Sequence, residues 1–392
     1  MNQLKQVTTC IDFTYLAGND SGSDANSLIA IAIAAGYPGR RVRISVLITG
    51  GAGYIGSHTC AELLRATHAV VVFDKFSNSH PEATLRAAQI VGKRPLLAPG
   101  DIRDQSAIEV TLRGHQYQAV IHFAGLKAVD ESVEKPTLYY YHDMVAPHRL
   151  LTAIQNCGVQ TLVFSSSATV YGEPQRPPLT EDRPLPAKSP YGHTKLIIED
   201  MLCDPLRTIS NWRIAILRYF NPIGAHKSGL IAHPQGIPNN FLPYVAQVVV
   251  GRREALDFWG NDYPPPDETG VRDFIHAVDS ALGHLKALER IEPPQCLAVN
   301  LGTSDGYSVV DAVRALEATN CQSTLYIASP RRSSNVAACS PLCRPWLGRP
   351  SIRYKSQARP RRHVQRPLTL ARAKPIGLRM TPQVPNYIGG AR

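Results

Sequence analysis

Tyr191 and Lys195, in the run Ser-Pro-Tyr-Gly-His-Thr-Lys at 189–195, have the types and spacing to move a proton. Four residues apart on a helix, they share one face. An ammonium beside a phenol favours the phenolate and lowers its pKa from about 10, which makes Tyr191 a proton acceptor near neutral pH. Twenty-four residues earlier stands Ser167, in Ser-Ser-Ser-Ala-Thr-Val-Tyr-Gly at 165–172, with a hydroxyl able to hydrogen-bond the reacting oxygen. Alone, each motif is ordinary. Tyr-x-x-x-Lys recurs by chance, and serine runs mark loops.

What gives them weight is the stretch upstream, residues 42–74. An apolar run, Val46 to Ile48, reads as a buried strand and stops at Thr49 and a glycine cluster, Gly50, Gly51, Gly53 and Gly56. A helical segment follows, then a second apolar strand, Val70 to Phe73, ending on Asp74. Glycines there let the backbone turn sharply and approach a pyrophosphate, whose charge sits at the positive N-terminus of the helix. Asp74 is placed to accept hydrogen bonds from a ribose diol and would repel a 2′-phosphate, so NAD is favoured over NADP. Downstream of such a fingerprint, Ser167, Tyr191 and Lys195 point to hydride transfer at a carbinol.

Further apolar strands alternate with helical stretches at 95–98, 119–123, 161–165 and 214–217. Repeated β and α segments predict an α/β fold, a doubly wound parallel Rossmann sheet with its ligand crevice at the carboxyl ends of the strands. The predicted organisation is an N-terminal extension (1–41), an NAD-binding domain (42–222, with 271–292 returning to it), a smaller substrate-binding domain (223–332), and a basic, Pro- and Arg-rich tail (333–392) expected to be disordered.

The formal net charge of +11 resembles that of a nucleic-acid binder, yet residues 333–392 hold twelve Lys or Arg and no Asp or Glu. The basicity belongs to the tail, the rest is near neutral, and no specific nucleic-acid partner is expected. No run approaches the roughly 18 apolar residues of a membrane helix. The apolar segment at 27–36 follows Asp12, Asp20 and Asp24 rather than a basic start, so it reads as non-targeting. Eight cysteines lack metal or disulfide spacing, so no metal site is expected, and a cytoplasmic protein with reduced thiols is.

Over residues 42–332 the chain resembles the extended short-chain dehydrogenase/reductase family, in its branch of UDP-hexose 4-epimerases. The matching stretches include TGGAGYIGSH (49–58), GDIRD (100–104), HFAGLKAVDESVEKP (122–136), SSSATVYGEP and SPYGHTK, RYFNPIGAH (218–226), GNDYPPPDETGVRDFIHAVD (260–279) and NLGTSDGYSV (300–309). The resemblance implies interconversion of UDP-galactose and UDP-glucose by reversible hydride transfer at C4, through a 4-keto sugar, with tightly bound NAD. It implies Tyr191, Lys195 and Ser167 as catalytic residues. For the cofactor it points to Gly50, Gly53, Tyr54, Ile55 and Gly56 at the pyrophosphate and to Asp74 and Asn78 at the adenosine ribose. Asp101 and Ile102 belong near the adenine, and Phe123, Ala124, Gly125, Lys127 and Phe220, with Tyr191 and Lys195, on the nicotinamide side. For a UDP-hexose substrate it implies Ser167, Asn221 and Asn240, with Arg272 and Arg332 on the diphosphate, where a planar guanidinium binds phosphate bidentately. A homodimer is implied through the helix starting near Tyr191 and a partner helix containing 142–151. Related dehydratases carry Asp-Glu after the catalytic hydroxyl residue. Here Ala168 and Thr169 follow Ser167, which disfavours dehydration.

Two departures stand out. Where the family has Asn-Asn-Val-Asn-Gly-Thr, this chain reads His142, Asp143, Met144, Val145, Ala146 and Pro147. His142 thus replaces a cofactor-contacting Asn, and Pro147 costs about 3 kcal/mol if it lies inside a helix. The match also stops at Arg332, and the composition beyond it resembles a shifted reading frame. The alternative reading is therefore a remnant that binds NAD or a sugar nucleotide without turnover. A weaker one is a polyanion binder acting through the tail.

Overall fold

The computed structural model describes residues 43–172, 179–207, 211–231, 248, 253–260, 262–263, 267–292, 294–303, 306–320 and 326–329. The expectations for 1–41 and 333–392, and for Asn240 and Arg332, fall outside the described residues.

Strands and helices alternate as the apolar runs predict. In chain order they are β1 (Ser45–Thr49), α1 (Tyr54–Arg65), β2 (Ala69–Asp74), α2 (Pro81–Val91), β3 (Leu96–Pro99), α3 (Gln105–Arg113) and β4 (Ala119–His122). Next come α4 (Val129–Glu134), α5 (Pro136–Asn156), β5 (Thr161–Ser167), α6 (Pro190–Cys203) and β6 (Arg213–Tyr219). After the short strands β7 (Asn221–Ile223), β8 (Leu256–Trp259) and β9 (Val271–His276) come α7 (Ala277–Arg290), β10 (Gln295–Leu301), β11 (Gly306–Ser308), α8 (Val309–Asn320) and β12 (Tyr326–Ser329).

Seven parallel strands form one sheet in the order β10-β6-β5-β4-β1-β2-β3. The order reverses between β1 and β4, and that switch point opens the crevice at the strands' carboxyl ends. Successive strand residues point to opposite faces, so the inner strands feed two cores, while the edge strand β3 is largely exposed. Val46, Ile48, Val72 and Ile121 pack with Leu63 and Leu64 of α1 and with Leu285 and Leu288 of α7. Leu47, Val71, Val120 and Phe164 pack with Ile108 of α3, Leu150 and Ile154 of α5, and Ile198 of α6. Burial on both faces is why these strands read as continuous apolar runs instead of alternating ones.

The edge strand β10 has no counterpart in the sequence reading. Gln295, Cys296 and Ala298 are only half-buried, so the run lacks the uniform apolar signal, and β6 supplies its register. Beyond the large sheet, β9 pairs with β7 in parallel and with β11 antiparallel, while β8 pairs with β12.

Two local outcomes differ from simple expectation. Reduced thiols are not the rule, since Cys203 at the end of α6 and Cys296 in β10 form a disulfide. Their sequence separation of 93 gave no spacing signal; β5 and β6 carry the two ends together. Pro147 does lie inside α5, and the 21-residue helix continues through it. With no N–H, Pro147 gives nothing to the carbonyl one turn earlier, that of Asp143. No helix among the described residues is long and apolar enough to cross a membrane.

Candidate active site

A cavity of about 460 Å³ opens at the switch point. It is walled by the ends of β1 (Gly50), β2 (Asp74), β5 (Ser167) and β6 (Asn221 just beyond) and by the loop after β4 (Phe123 to Lys127). At the dinucleotide side, Gly50 has φ +69°, and a Cβ there would stand 2.6 Å from the Ala124 nitrogen. A Cβ on Gly56 would stand 2.4 Å from the Gly50 carbonyl oxygen. Only glycine allows this turn and the close approach of α1 to it. Helix α1 starts after Gly53 with no side-chain cap and no acid in its first turn, so its positive end faces the cavity uncountered.

Asp74 closes the other side of this cradle. Its Oδ2 accepts from the Ala52 N–H at 3.0 Å. Its Oδ1 accepts from the Phe76 N–H at 2.8 Å and the Ser79 hydroxyl at 3.0 Å. The carboxylate is fixed by the loops it joins, and Oδ2, which accepts one hydrogen bond, keeps lone-pair capacity for a diol. The cradle and the anchored carboxylate fit a dinucleotide lacking a 2′-phosphate.

The proton-moving groups stand on the opposite wall. Ser189 caps α6 by accepting from the Gly192 N–H at 3.1 Å, and Pro190 opens the helix, a placement both residues favour. This sets Tyr191 in the first turn, where its phenol hydrogen-bonds Ser167 at the end of β5. Ser167 Oγ also accepts from the Thr169 hydroxyl at 3.0 Å. Lys195 is buried behind Tyr191. Its Nζ donates to the Ser165 carbonyl at 3.1 Å and lies 5.8 Å from the Tyr191 ring centroid.

The expected lowering of the Tyr191 pKa by Lys195 does not dominate here. Burial pushes the phenol well above its usual value, and the Ser167 hydrogen bond works against that. Burial likewise lowers Lys195, opposed by the charges of Asp143 and Glu199.

A buried network the sequence reading missed holds this wall in place. Arg218 of β6 grips Glu199 of α6, with Nη2 to Oε2 at 2.6 Å, and Glu199 Oε1 accepts from the Ser166 hydroxyl at 2.5 Å. Tyr171 receives Arg218 Nη1 at 2.9 Å and donates to Asn300 at 2.8 Å. Removing one partner of such a buried pair costs about 3–5 kcal/mol. The available signal was spacing: Glu199 is four residues past Lys195, on the same helix face.

Of the residues singled out from sequence, the cavity gathers Gly50, Gly53, Tyr54, Ile55, Gly56, Asp74, Asn78, Ile102, Phe123, Ala124, Gly125, Lys127, Ser167, Tyr191, Phe220 and Asn221. It adds Lys75, Thr169, Tyr219 and His142, the last standing in the wall where the sequence departs from pattern. Lys195 sits just behind the wall. Asp101 is not part of the lining; its Oδ1 accepts from Arg103 Nε at 3.0 Å, and the Nζ of the cavity-lining Lys75 lies 3.7 Å from its Oδ2. Arg103's donors hold its carboxyl well below the usual range. Arg272, on β9, is half-buried outside the cavity lining and donates to the Val271 carbonyl at 3.3 Å.

Comparison with known proteins agrees with this arrangement. The model of the NAD dependent epimerase/dehydratase family matches residues 46–302. The chain is 50% identical over 298 residues to the UDP-glucose 4-epimerase of Bacillus subtilis, covering 76% of this chain and 88% of that one. It is 50% identical over 303 residues to that of Mus musculus, covering 75% and 87%. Among solved structures, the UDP-glucose 4-epimerase of Bifidobacterium longum, in complex with NAD+ and UDP, superposes with TM-score 0.81 at 40% identity, over 85% of this chain and 99% of that one. The enzyme of Stenotrophomonas maltophila, with bound NAD and formylated UDP-arabinopyranose, gives TM-score 0.80 at 39% identity, over 84% and 98%. A glycine cradle, an anchored ribose carboxylate and a Ser-Tyr-Lys wall, on a chain half identical to its relatives, place this protein in the NAD dependent epimerase/dehydratase family, among the UDP-glucose 4-epimerases.

Proposed function

We propose that the protein interconverts UDP-galactose and UDP-glucose by inverting the sugar at C4. The observation that carries this is that Tyr191 and Ser167 line one wall of a cavity whose other side is a dinucleotide cradle. Bound NAD supplies reversible hydrogen transfer at that carbon, so substrate and product stay at one oxidation level and no net redox occurs. Tyr191 takes the proton of the 4-hydroxyl and later returns it. Ser167 donates to the same oxygen, oriented by Thr169, which donates to Ser167 in turn. Lys195 supplies a positive charge on the phenolate side of that proton transfer. The 4-keto sugar has to turn over between the two proton transfers, so the grip must lie on the nucleotide diphosphate. We assign Arg272 and Arg332 to that diphosphate, and Asn221, which lines the cavity, with Asn240 to further contacts with the substrate. The cradle and Asp74 hold NAD, with Asn78, Ile102 and Asp101 toward its adenosine end and Phe123 to Lys127 and Phe220 toward the nicotinamide.

We also infer a homodimer. Helices α5 and α6 pack side by side, and Leu138 (43% exposed), Tyr141 (59%) and Ile197 (40%) stand out from them. Such a patch suits a second copy of the same face.

The test is purification followed by absorbance of bound NAD(H) and a UDP-galactose conversion assay on the same sample. Cofactor with turnover is the expected result. Bound cofactor without turnover would select the non-catalytic binding reading.

A further inference from the structure

Asp143 is buried in α5, 2% exposed, beside the cavity-lining His142. Its Oδ1 accepts from the Leu126 N–H at 2.9 Å and lies 3.2 Å from His142 Nδ1. Its Oδ2 is buried with no hydrogen-bond partner among the described residues. A carboxylate oxygen left in that state is costly unless positive charge stands nearby. Gly125 shows where that charge is. A Cβ placed on Gly125 would lie 3.5 Å from Asp143 Oδ1 and 4.0 Å from Lys195 Nζ. Carboxylate and ammonium therefore approach the same small space, and the glycine puts no side chain between them.

The other charged or titratable groups around this pair are already engaged. Lys75, beyond β2, lies 3.4 Å from His142 and is paired with Asp101. His122 of β4 is bonded to the Thr49 hydroxyl at 2.6 Å. Tyr139 donates to Glu131 of α4 at 3.0 Å. Glu199 of α6 is held by Arg218, and Tyr191 by Ser167. Lys195 alone among these cations borders the space that Asp143 borders and also carries the chemistry.

We propose that Asp143 is a positioning residue, the buried counter-charge that keeps Lys195 an ammonium, so that it acts on Tyr191 only through Lys195. The inference rests on the proposed reaction for its meaning, though not for its test. Burial works against the Lys195 charge and Asp143 works for it. Charges at this separation in a partly desolvated site interact strongly enough to move a titration by about one pH unit.

The experiment is a carbon-13 NMR titration of NAD-loaded protein labelled at the lysine Cε carbons, with the Lys195 signal assigned by its loss in Lys195→Arg. In Asp143→Asn the amide oxygen can still accept from the Leu126 N–H, so the fold is retained while the charge is removed. The expected result is a Lys195 midpoint lowered by about one pH unit. The alkaline limb of the kcat profile moves down with it, and KM for UDP-galactose stays within about twofold. An unmoved Lys195 midpoint in folded Asp143→Asn overturns the proposal and leaves Asp143 as a tie to the Leu126 backbone. If the single variant does not fold, the pair His142→Asn with Asp143→Asn is titrated under the same two outcomes. The NMR signal reads Lys195 whether or not sugar turns over, so failure of the epimerase reading is separately visible.

Discussion

At the residue scale the site combines a phenol, an ammonium and a hydroxyl, and burial is the largest influence on the phenol and on the ammonium. Tyr191→Phe removes the proton carrier and keeps the ring, so kcat should fall by about 10²–10⁴-fold with bound NAD retained, checked by the conversion assay beside the cofactor absorbance. Asp101 tests a different balance. Its folded pKa is depressed, chiefly by the Arg103 hydrogen bond, so its stabilising contribution is fully present above the unfolded carboxylate value of about 3.9. That contribution is lost as pH falls through the folded value. Thermal melts of the unaltered protein and Asp101→Asn should therefore differ by a constant amount from pH 7 down to about 5, then converge as the solution becomes strongly acid. A gap that persists at the acid end would show that the side chain acts by something other than its charge.

At the element scale, three of the site residues owe their places to element boundaries. Ser167 ends β5, Tyr191 lies in the first turn of α6, and Asp74 ends β2. Helix α5 lacks one of its own hydrogen bonds, because Pro147 withholds a donor from the carbonyl of Asp143, next to the cavity-lining His142. Pro147→Ala restores that donor. The gain from an interior proline removed, less the extra freedom of the unfolded chain, is about 1–2 kcal/mol. A urea titration should show a higher midpoint at unchanged slope. A lower midpoint would mean that the buried proline ring contributes more by packing than it costs the helix.

At the scale of the whole molecule, the Cys203–Cys296 disulfide joins the end of the helix that carries Tyr191 and Lys195 to the edge strand β10. It closes a long loop, and Cys203→Ser should cost about 2–4 kcal/mol of stability. Dithiothreitol should lower the melting temperature of the unaltered protein toward that of the variant and leave the variant unmoved. If reductant moved both equally, the bond would not be the source of the difference. The large sheet carries the site because the strand order reverses between β1 and β4, so residues more than a hundred positions apart, such as Gly50 and Ser167, meet across one crevice.

Much of this was legible in the chain itself. The glycine cluster, the terminal Asp74, the Ser167 position and the Tyr191–Lys195 spacing are local signals, readable because backbone clearance, strand length and helical period act over a few residues. The doubly wound sheet followed from apolar runs that must be buried on both faces. What tertiary structure decided is everything that depends on one element facing another. It recruited the half-buried β10 by pairing with β6, joined Cys203 to Cys296, and paired Asp101 with Arg103. It also raised the Tyr191 phenol where local spacing predicted a lowering, because burial is a property of the whole packed site. The approach of Asp143 to Lys195 belongs to the same class, since no sequence spacing links residues on two different helices that border one space at Gly125.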